Sequence, residues 1–509
     1  MGHSQPQHLL RNDPLFEINI DVAGKGSRGS AGAVYRQIKN AITAGRLVPR
    51  SKLPPTRQST RIFGVSRNTA GQVYERLKIE GYVVTRHGSG SYVADKASLP
   101  SRRPAQRHRR TSFSHQLNNF WLRPDITAAM GFWRDPPGQS LRQAKTSVID
   151  MRPAMVDSRL FPFDTFRRMS AKHLRALESR PASYKSPQGN QGNFFLRQAI
   201  RKHIALTRAV VCEPEDIVVT SGAQQAFDLI ARVLVTPGQT VVALEDPGYP
   251  PMRVGFAAAG AKLACVGVDD EGLIVDNLPR DAKIICLTPS HQFPLGITMS
   301  ARRRKALLDF TRQHRAVIIE DDYDGEFRYE GGSLEALRSV DSGDLVFYVG
   351  TFSKCMLSAF RLGFIVAPDW AMPSLVAAKN CLDWHCPTPL QSAVAGFITG
   401  GHLERHVRKM RAIYKLRREA LLKILEEDLS KSLKPIHSNY GLHVAATAKT
   451  AVNLERVTEL LLRRNVKIHT LSRYFLGPQT SKGLIFGIGT VDVPEIRKGI
   501  GLLGKALHG

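Results

Sequence analysis

Acidic residues are scarce in this 509-residue chain: 44 Asp and Glu stand against 72 Lys and Arg, for a formal net charge of +28. The deficit is uneven. Residues 1–150 hold 24 Lys and Arg but 9 Asp and Glu, a net +15, which leaves +13 for the other 359 residues. Positive charge concentrated at one end points to a polyanion partner, most simply nucleic acid, although a solvated basic surface would give the same count. Long apolar stretches are missing too: there is no run of about 18 apolar residues, which excludes a transmembrane helix. The opening MGHSQPQHLLRNDPLFEIN lacks the basic-then-apolar layout of a secretion signal. Cysteines number six, at 212, 265, 286, 355, 381 and 386, and their scatter suits reduced thiols in a cytoplasmic protein. Cys381 and Cys386 of CLDWHC match no structural zinc spacing, so no metal site is expected. Hydrophobic residues, at 42%, are enough for a sizeable core.

The N-terminal part carries the pattern of a DNA-binding head. In AVYRQIKNAITA, Val34, Ile38 and Ile42 recur every four residues, one face of an amphipathic helix. Gly45, Pro49, Pro54 and Pro55 break it. A second helix is predicted over TRQSTRIF, with Thr56 as its N-cap and Gly64 ending it. Ser66 is placed to cap a third, GVSRNTAGQVYERLKIEGY, with Val73, Leu77 and Ile79 facing inward. Its first turn offers Arg67, Asn68 and Thr69 to phosphates or base edges. Two helices joined by a tight Gly-Val-Ser turn fit the helix-turn-helix, whose second helix enters the major groove by its N-terminal end. YVVTRHGSGSYVA then reads as two short strands around a Gly-rich tip, a β-wing, rather than a phosphate loop, because no strand–loop–helix context surrounds HGSG.

Residues 30–94 thus resemble the winged helix-turn-helix of the GntR regulators, in GRLVPRSKLPPTRQ, GVSRNTAGQVYERLKIEGYV and RHGSGSYV. The resemblance implies that Arg57 contacts the DNA backbone. It also implies that Arg67, helped by Ser66, Asn68 and Thr69, reaches bases or phosphates, while His87 and Gly88 lead the wing into the minor groove. Arginine suits this independently, since its fork is bidentate to guanine or phosphate.

Over 95–147 the periodicity fades. SLPSRRPAQRHRR is rich in Pro and Arg and reads as a flexible basic linker, either a solvated spacer or a non-specific phosphate contact. The aromatics of SFSHQLNNFWLRPDITAAMGFW allow part of it to dock on a neighbour. From 148 to 509 strands and helices alternate: DIVVTSGAQQAFDLIARVL, TVVALEDPGY, KIICLTPS, ARRRKALLDFTRQHR, AVIIEDDYD and DLVFYVGTFSK. This predicts an α/β domain with a largely parallel sheet, whose ligand groups lie at strand ends.

The candidate ligand groups fall at such ends. The turn of TSGAQQAFDLI offers the amides of Gly222, Ala223 and Gln224 to an anion at a helix N-terminus. Asp321 and Tyr323 are two apart and share one face. Lys354 follows in GTFSKCMLSAFRLG, with Thr351 and Ser353 before it and Arg361 after it. A lysine amine, an anion site with hydroxyls and Arg, an Asp and a Tyr are together what pyridoxal 5′-phosphate requires. Lys354 would form the Schiff base, Asp321 would pair with the pyridinium nitrogen, Tyr323 would bond the ring 3′ oxygen and Arg361 would neutralise phosphate.

Residues 148–509 resemble the fold-type I aminotransferases in YKSPQGNQGNFFLRQAI, SGAQQAFDLI, EDPGYP, TPSHQFPLG, EDDYDGEF and GTFSKCMLSAFRLGF. The resemblance places Tyr249 near the ring and has Tyr184 reach the other subunit's phosphate across a dimer interface. Phe293 stands where those enzymes carry an Asn that bonds the ring oxygen, so Tyr323, His291 or Gln292 must serve. Ser358 replaces a usual Pro. Head and body together resemble the MocR/PdxR-type regulators over essentially the full length. That implies a head-to-tail homodimer in which the aminotransferase-like domain senses pyridoxal phosphate or an amino compound at a DNA operator. The other reading is a working aminotransferase with an accessory head. An intact helix-turn-helix, which an enzyme does not need, favours the regulator. Within that family an Arg two residues after the PGY tyrosine marks 4-aminobutyrate sensors; Pro251 stands there. Arg473 in LSRYFLG is the candidate for an effector α-carboxylate.

Overall fold

A computed structural model describes residues 30–86, 88–95, 118–132, 148–178, 189–331, 335–449 and 452–508. Two compact units divide between Leu117 and Asn118.

In the first unit, α1 (Ser30–Thr43), α2 (Thr56–Phe63) and α3 (Arg67–Ile79) precede the antiparallel hairpin of β1 (Val83–Arg86) and β2 (Gly90–Val93). Val34, Ile38 and Leu77 are fully buried together with Val73, Tyr74 and Phe63. Each such side chain contributes about 1.5–3 kcal/mol by leaving water. Two expectations are corrected. Thr56 is the first helical residue of α2 and Pro55 precedes it as cap, so the α2 start carries no side-chain cap. Ile79 is 83% exposed; Tyr74 takes the inward place, because α3 turns its last residue away from α1. Gly64 ends α2 at φ 63°, the left-handed conformation that a tight turn requires.

The second unit is built on an eight-stranded sheet in the order Ile217–Thr220, Gly363–Val366, Val346–Thr351, Val317–Asp322, Ala282–Leu287, Val241–Asp246, Lys262–Asp269 and Gly272–Leu273. The middle strands are parallel, as their near-continuous Val/Ile/Leu runs and intervening helices predict. Gly363–Val366 runs antiparallel to both its neighbours, which aligns Thr351, Gly363 and Thr220 in one row. The C-terminal ends of the parallel strands therefore meet the Ser221–Gly222 turn along one edge. A four-stranded antiparallel sheet follows, Leu433–Pro435, His443–Ala448, Gly483–Gly487 and His469–Thr470. Part of the stretch expected as linker, Pro124–Met130, is a helix of this unit. It is followed by Phe132, which is buried with Phe293, Tyr323 and Tyr474.

No described helix is long and apolar enough to cross a membrane.

Candidate functional site

In the head, Ser66 caps α3: its hydroxyl accepts from the Thr69 amide at 3.1 Å and lies 2.8 Å from the Thr69 hydroxyl. That fixes the first turn and leaves Arg67 and Asn68 exposed, with Arg57 exposed on α2. Gly88 sits in the hairpin turn at φ 71°. His87 lies outside the described residues. Exposed basic and amide groups at the start of a capped helix are what a phosphate backbone and groove edges recognise.

In the second unit the strand ends bring together Lys354, Asp321, Tyr323, Thr351, Ser353 and Arg361. Asp321 pairs with Val349 one residue before its strand ends, so its side chain and that of Asp322 point to opposite faces. Asp322 bonds Arg208 at 2.6 Å and the Tyr348 hydroxyl at 2.5 Å. Asp321, by contrast, is buried with its Oδ1 lacking a hydrogen-bond partner. Burial first, then the neighbouring Asp322 and Asp324, push its carboxyl well above the usual range, while Lys354 acts in the other direction. A buried carboxylate oxygen left without a donor is costly unless a ligand supplies one.

Lys354 Nζ donates to the carbonyl of Ala154 at 2.6 Å. Burial lowers its amine to about 8, against the opposing pull of Asp324 and Asp321, and Arg361 adds to the lowering. The Thr351 hydroxyl bonds that of Ser353 at 3.0 Å and caps the Ser353 amide at 3.2 Å. Arg361 donates to the Ser221 carbonyl at 3.2 Å. Gly222 has φ 79°, and a Cβ there would lie 2.7 Å from the Arg361 guanidinium, so glycine alone lets the arginine close on the start of helix Ala223–Leu234. Behind that turn Gln225 Oε1 accepts from the Ser221 amide at 2.7 Å and from Lys379 at 3.0 Å. Gln224 reaches the Pro251 carbonyl at 3.0 Å. The arrangement is a cation, a helix N-terminus and two hydroxyls around a turn, which suits an anion such as phosphate.

Of the three groups able to replace the absent Asn, Gln292 is excluded: its amide donates to the Pro247 and Phe293 carbonyls and its oxygen accepts from the Leu295 amide. His291 is buried and holds Asp324 and Tyr323 with its Nδ1. Tyr323 faces the apolar wall of Phe293 at 5.5 Å. Tyr249 lies edge-on to Phe293 at 5.7 Å and to Phe132 at 6.4 Å. Arg473 donates to the Phe132 carbonyl at 3.4 Å and lies 5.6 Å from its ring. Tyr184 lies outside the described residues. Sequence reasoning passed over Ala154, Phe132, Asp324 and His443. The first offers a backbone carbonyl and carries no side-chain signal, the second lay in the expected linker, and the others join the site through the fold. His291, Asp324 and His443 are cation-binding types near one another, but Asp324 and Tyr323 already hold the same His291 nitrogen, and no ion is needed to explain the cluster.

The comparisons divide the chain in the same way. The family "Bacterial regulatory proteins, gntR family" matches residues 30–93 and "Aminotransferase class I and II" matches 161–480. Among similar proteins, the "Probable rhizopine catabolism regulatory protein MocR" of Rhizobium meliloti is 30% identical over 93% of this chain and 92% of its own. TauR of Rhodobacter capsulatus, an "HTH-type transcriptional regulator", is 31% identical over 95% and 98%. PdxR of Corynebacterium glutamicum, an "HTH-type pyridoxine biosynthesis transcriptional regulator", is 28% identical over 91% and 92%. Among solved structures, an archaeal alanine:glyoxylate aminotransferase superposes with a TM-score of 0.70 at 26% identity, covering 78% of this chain and 99% of that one. A Pyrococcus horikoshii kynurenine aminotransferase gives 0.67 at 25%, covering 74% and 95%. With a gntR-family DNA-binding head and an aminotransferase class I and II domain on one chain, this protein belongs to the MocR-type transcriptional regulators of the gntR family.

Proposed function

We propose that the aminotransferase-like unit of this regulator binds pyridoxal 5′-phosphate, and that the cofactor itself or an amino compound joined to it is the signal read at the operator. The observation that carries this is the pairing of a buried Asp321 oxygen without a donor with Lys354 and the Arg361–Gly222 turn at neighbouring strand ends. When bound, the cofactor supplies an aldehyde and an electron-withdrawing pyridinium ring. Asp321 receives the ring N–H, Lys354 supplies the amine, and Arg361 with Thr351, Ser353 and the Gly222–Gln224 amides holds the phosphate. Tyr249 would lie near the ring, and Arg473 would take an effector carboxylate in place of the Phe132 carbonyl. In a homodimer, Tyr184 of the partner subunit completes the phosphate site. The Corynebacterium relative's name, a pyridoxine biosynthesis regulator, supports a pyridoxine-derived signal.

Electrophoretic shift of the chain on its own upstream DNA tests this. Pyridoxal phosphate, alone or with candidate amines, is expected to change the affinity of the wild-type protein and not that of Lys354→Ala. Equal affinity with and without the cofactor and every amine would overturn the proposal. On the DNA side, Arg67→Ala is expected to weaken operator binding by about 1–3 kcal/mol if it reads a base, or to lower the salt slope by about 1 if it holds a phosphate. Binding measured at several salt concentrations separates the two.

A pH dependence follows from Lys354. Only the neutral amine is nucleophilic, and burial lowers the pKa to about 8. The rate at which apo-protein captures the cofactor is therefore expected to rise with pH and level off above about 8. A rate still climbing toward the ordinary lysine range would contradict the burial of this amine.

A further inference from the structure

We propose that Asp324, acting through His291, is a positioning residue that keeps the phenolic proton of Tyr323 free for the ring 3′ oxygen of the cofactor. This rests on the pyridoxal phosphate reading above.

The groups form a buried chain. His291 Nδ1 lies 3.0 Å from Asp324 Oδ2 and 2.7 Å from the Tyr323 hydroxyl, and the three residues are 2%, 2% and 8% exposed. A ring nitrogen has one in-plane position for a proton or a lone pair. The Asp324 contact fills it, whether the shared proton sits on nitrogen or on carboxyl oxygen. Were Nδ1 bare, its lone pair would face an acceptor at 3.0 Å inside a protein core, where opposed acceptors are most costly. The Tyr323 proton therefore has no place on Nδ1, and among the described residues His291 is the one hydrogen-bond partner of the Tyr323 hydroxyl. Burial, with Asp324 and Asp321 nearby, also pushes the phenol well above its usual range, so it stays protonated. The result is a donor with its proton unclaimed, where Phe293 has removed the usual one.

The surroundings agree with a ring proton at Nδ1. His291 Nε2 is buried without a partner and packs against Gly296, where a Cβ would come within 3.2 Å. Neighbouring His443 donates from Nε2 to the Pro294 carbonyl at 2.9 Å, and burial pushes it well below the usual histidine range, so it brings no charge. Gly441 makes the ring's position possible, since any Cβ there would overlap His291.

The test is a double-mutant cycle of Asp324→Asn and Tyr323→Phe on the holo-protein, read by cofactor dissociation constant and by the pH at which the visible absorbance of the lysine-bound cofactor changes. The titratable groups facing Tyr323 are His291, Asp321, Asp322, Asp324 and Glu245, and those facing Lys354 are Asp324, Asp321, Arg361 and His443. An asparagine amide has no charge to hold a proton on Nδ1, and once it releases the nitrogen Nδ1 becomes able to take the tyrosine proton. Asp324→Asn is then expected to weaken cofactor binding about tenfold, as Tyr323→Phe does, with the double variant no weaker than Tyr323→Phe alone. The spectral transition discriminates by sign. Losing a donor to the 3′ oxygen leaves that oxygen better able to hold the linkage proton, which moves the transition to higher pH. Losing the Asp324 charge alone destabilises a proton near Lys354 and moves it lower. An upward shift in Asp324→Asn that turns downward in the Tyr323→Phe background supports the proposal. A downward shift in both, or fully additive losses of affinity, which a folding defect would give, overturns it. Wild-type protein that takes up no cofactor would overturn the pyridoxal phosphate reading itself.

Discussion

Lys354→Ala is expected to abolish the visible absorbance that wild-type protein retains after incubation with pyridoxal phosphate and gel filtration. The loss should be complete, because in the proposed site this amine would form the covalent link and no other described lysine beyond these strand ends can substitute for it. Among the described residues, Lys379 is the one rival close to the same turn. It is fully buried, but its Nζ is bonded to Gln225 and Asp383 and lies 3.5 Å from the Cys386 sulfur, behind the Ser221 turn rather than beyond the strand ends. Lys354 instead has the Ala154 carbonyl at 2.6 Å and an amine lowered to about 8, so at neutral pH a useful fraction is neutral. Lys379→Ala should damage the phosphate turn and weaken binding while leaving the absorbance of whatever cofactor is bound. Absorbance that survives in Lys354→Ala and vanishes in Lys379→Ala would reverse the assignment.

The parts of this site that sequence reveals are those set by short-range rules. Period-two alternation reads Asp321 and Tyr323 onto one face, although the strand ends at Asp322 and Tyr323 lies just beyond it, and Lys354 and Gly222 fall at strand ends because parallel sheets put their ligand loops there. Ser66 was legible as a cap from its place before a helical run. The rest depends on packing between distant segments. Asp324 meets His291 across 33 positions of chain, and His443 joins them from a different sheet. No local pattern encodes that meeting. Ile79 fell at a helical spacing compatible with the core, yet one residue beyond Leu77 and Lys78 the helix ends and the side chain faces water. Pro124–Met130 and Phe132 lay in a stretch whose basic, Pro-rich beginning reads as linker, but their apolar side chains are enough to hold them on the second unit.

Gly489→Ala is expected to lower the stability of the second unit by about 3 kcal/mol or more, at the upper end of what added methyl groups cost in a filled core. The glycines of GIGT show why. A Cβ at Gly489 would overlap the Met155 carbonyl oxygen and lie 2.7 Å from its carbon, and a Cβ at Gly487 would overlap the Arg152 carbonyl. In both places the obstacle is backbone, which no rotamer change relieves. Gly487 also donates its amide to the Met151 carbonyl at 2.7 Å, so segment 151–155 is held tightly along this edge. That segment carries Ala154, in the left-handed region at φ 59°, whose carbonyl receives Lys354. Pushing it outward would unfold the protein at lower temperature and also withdraw the lysine's acceptor, so cofactor affinity should fall with stability. Gly501→Ala is the matched control: nothing lies within 4 Å of the added carbon, and its place in helix Val493–His508 predicts a gain of about 0.5–1 kcal/mol. Thermal unfolding of the two variants should therefore move in opposite directions, and a Gly489→Ala protein unfolding at the wild-type temperature would mean that segment 151–155 yields without cost and does not fix Lys354.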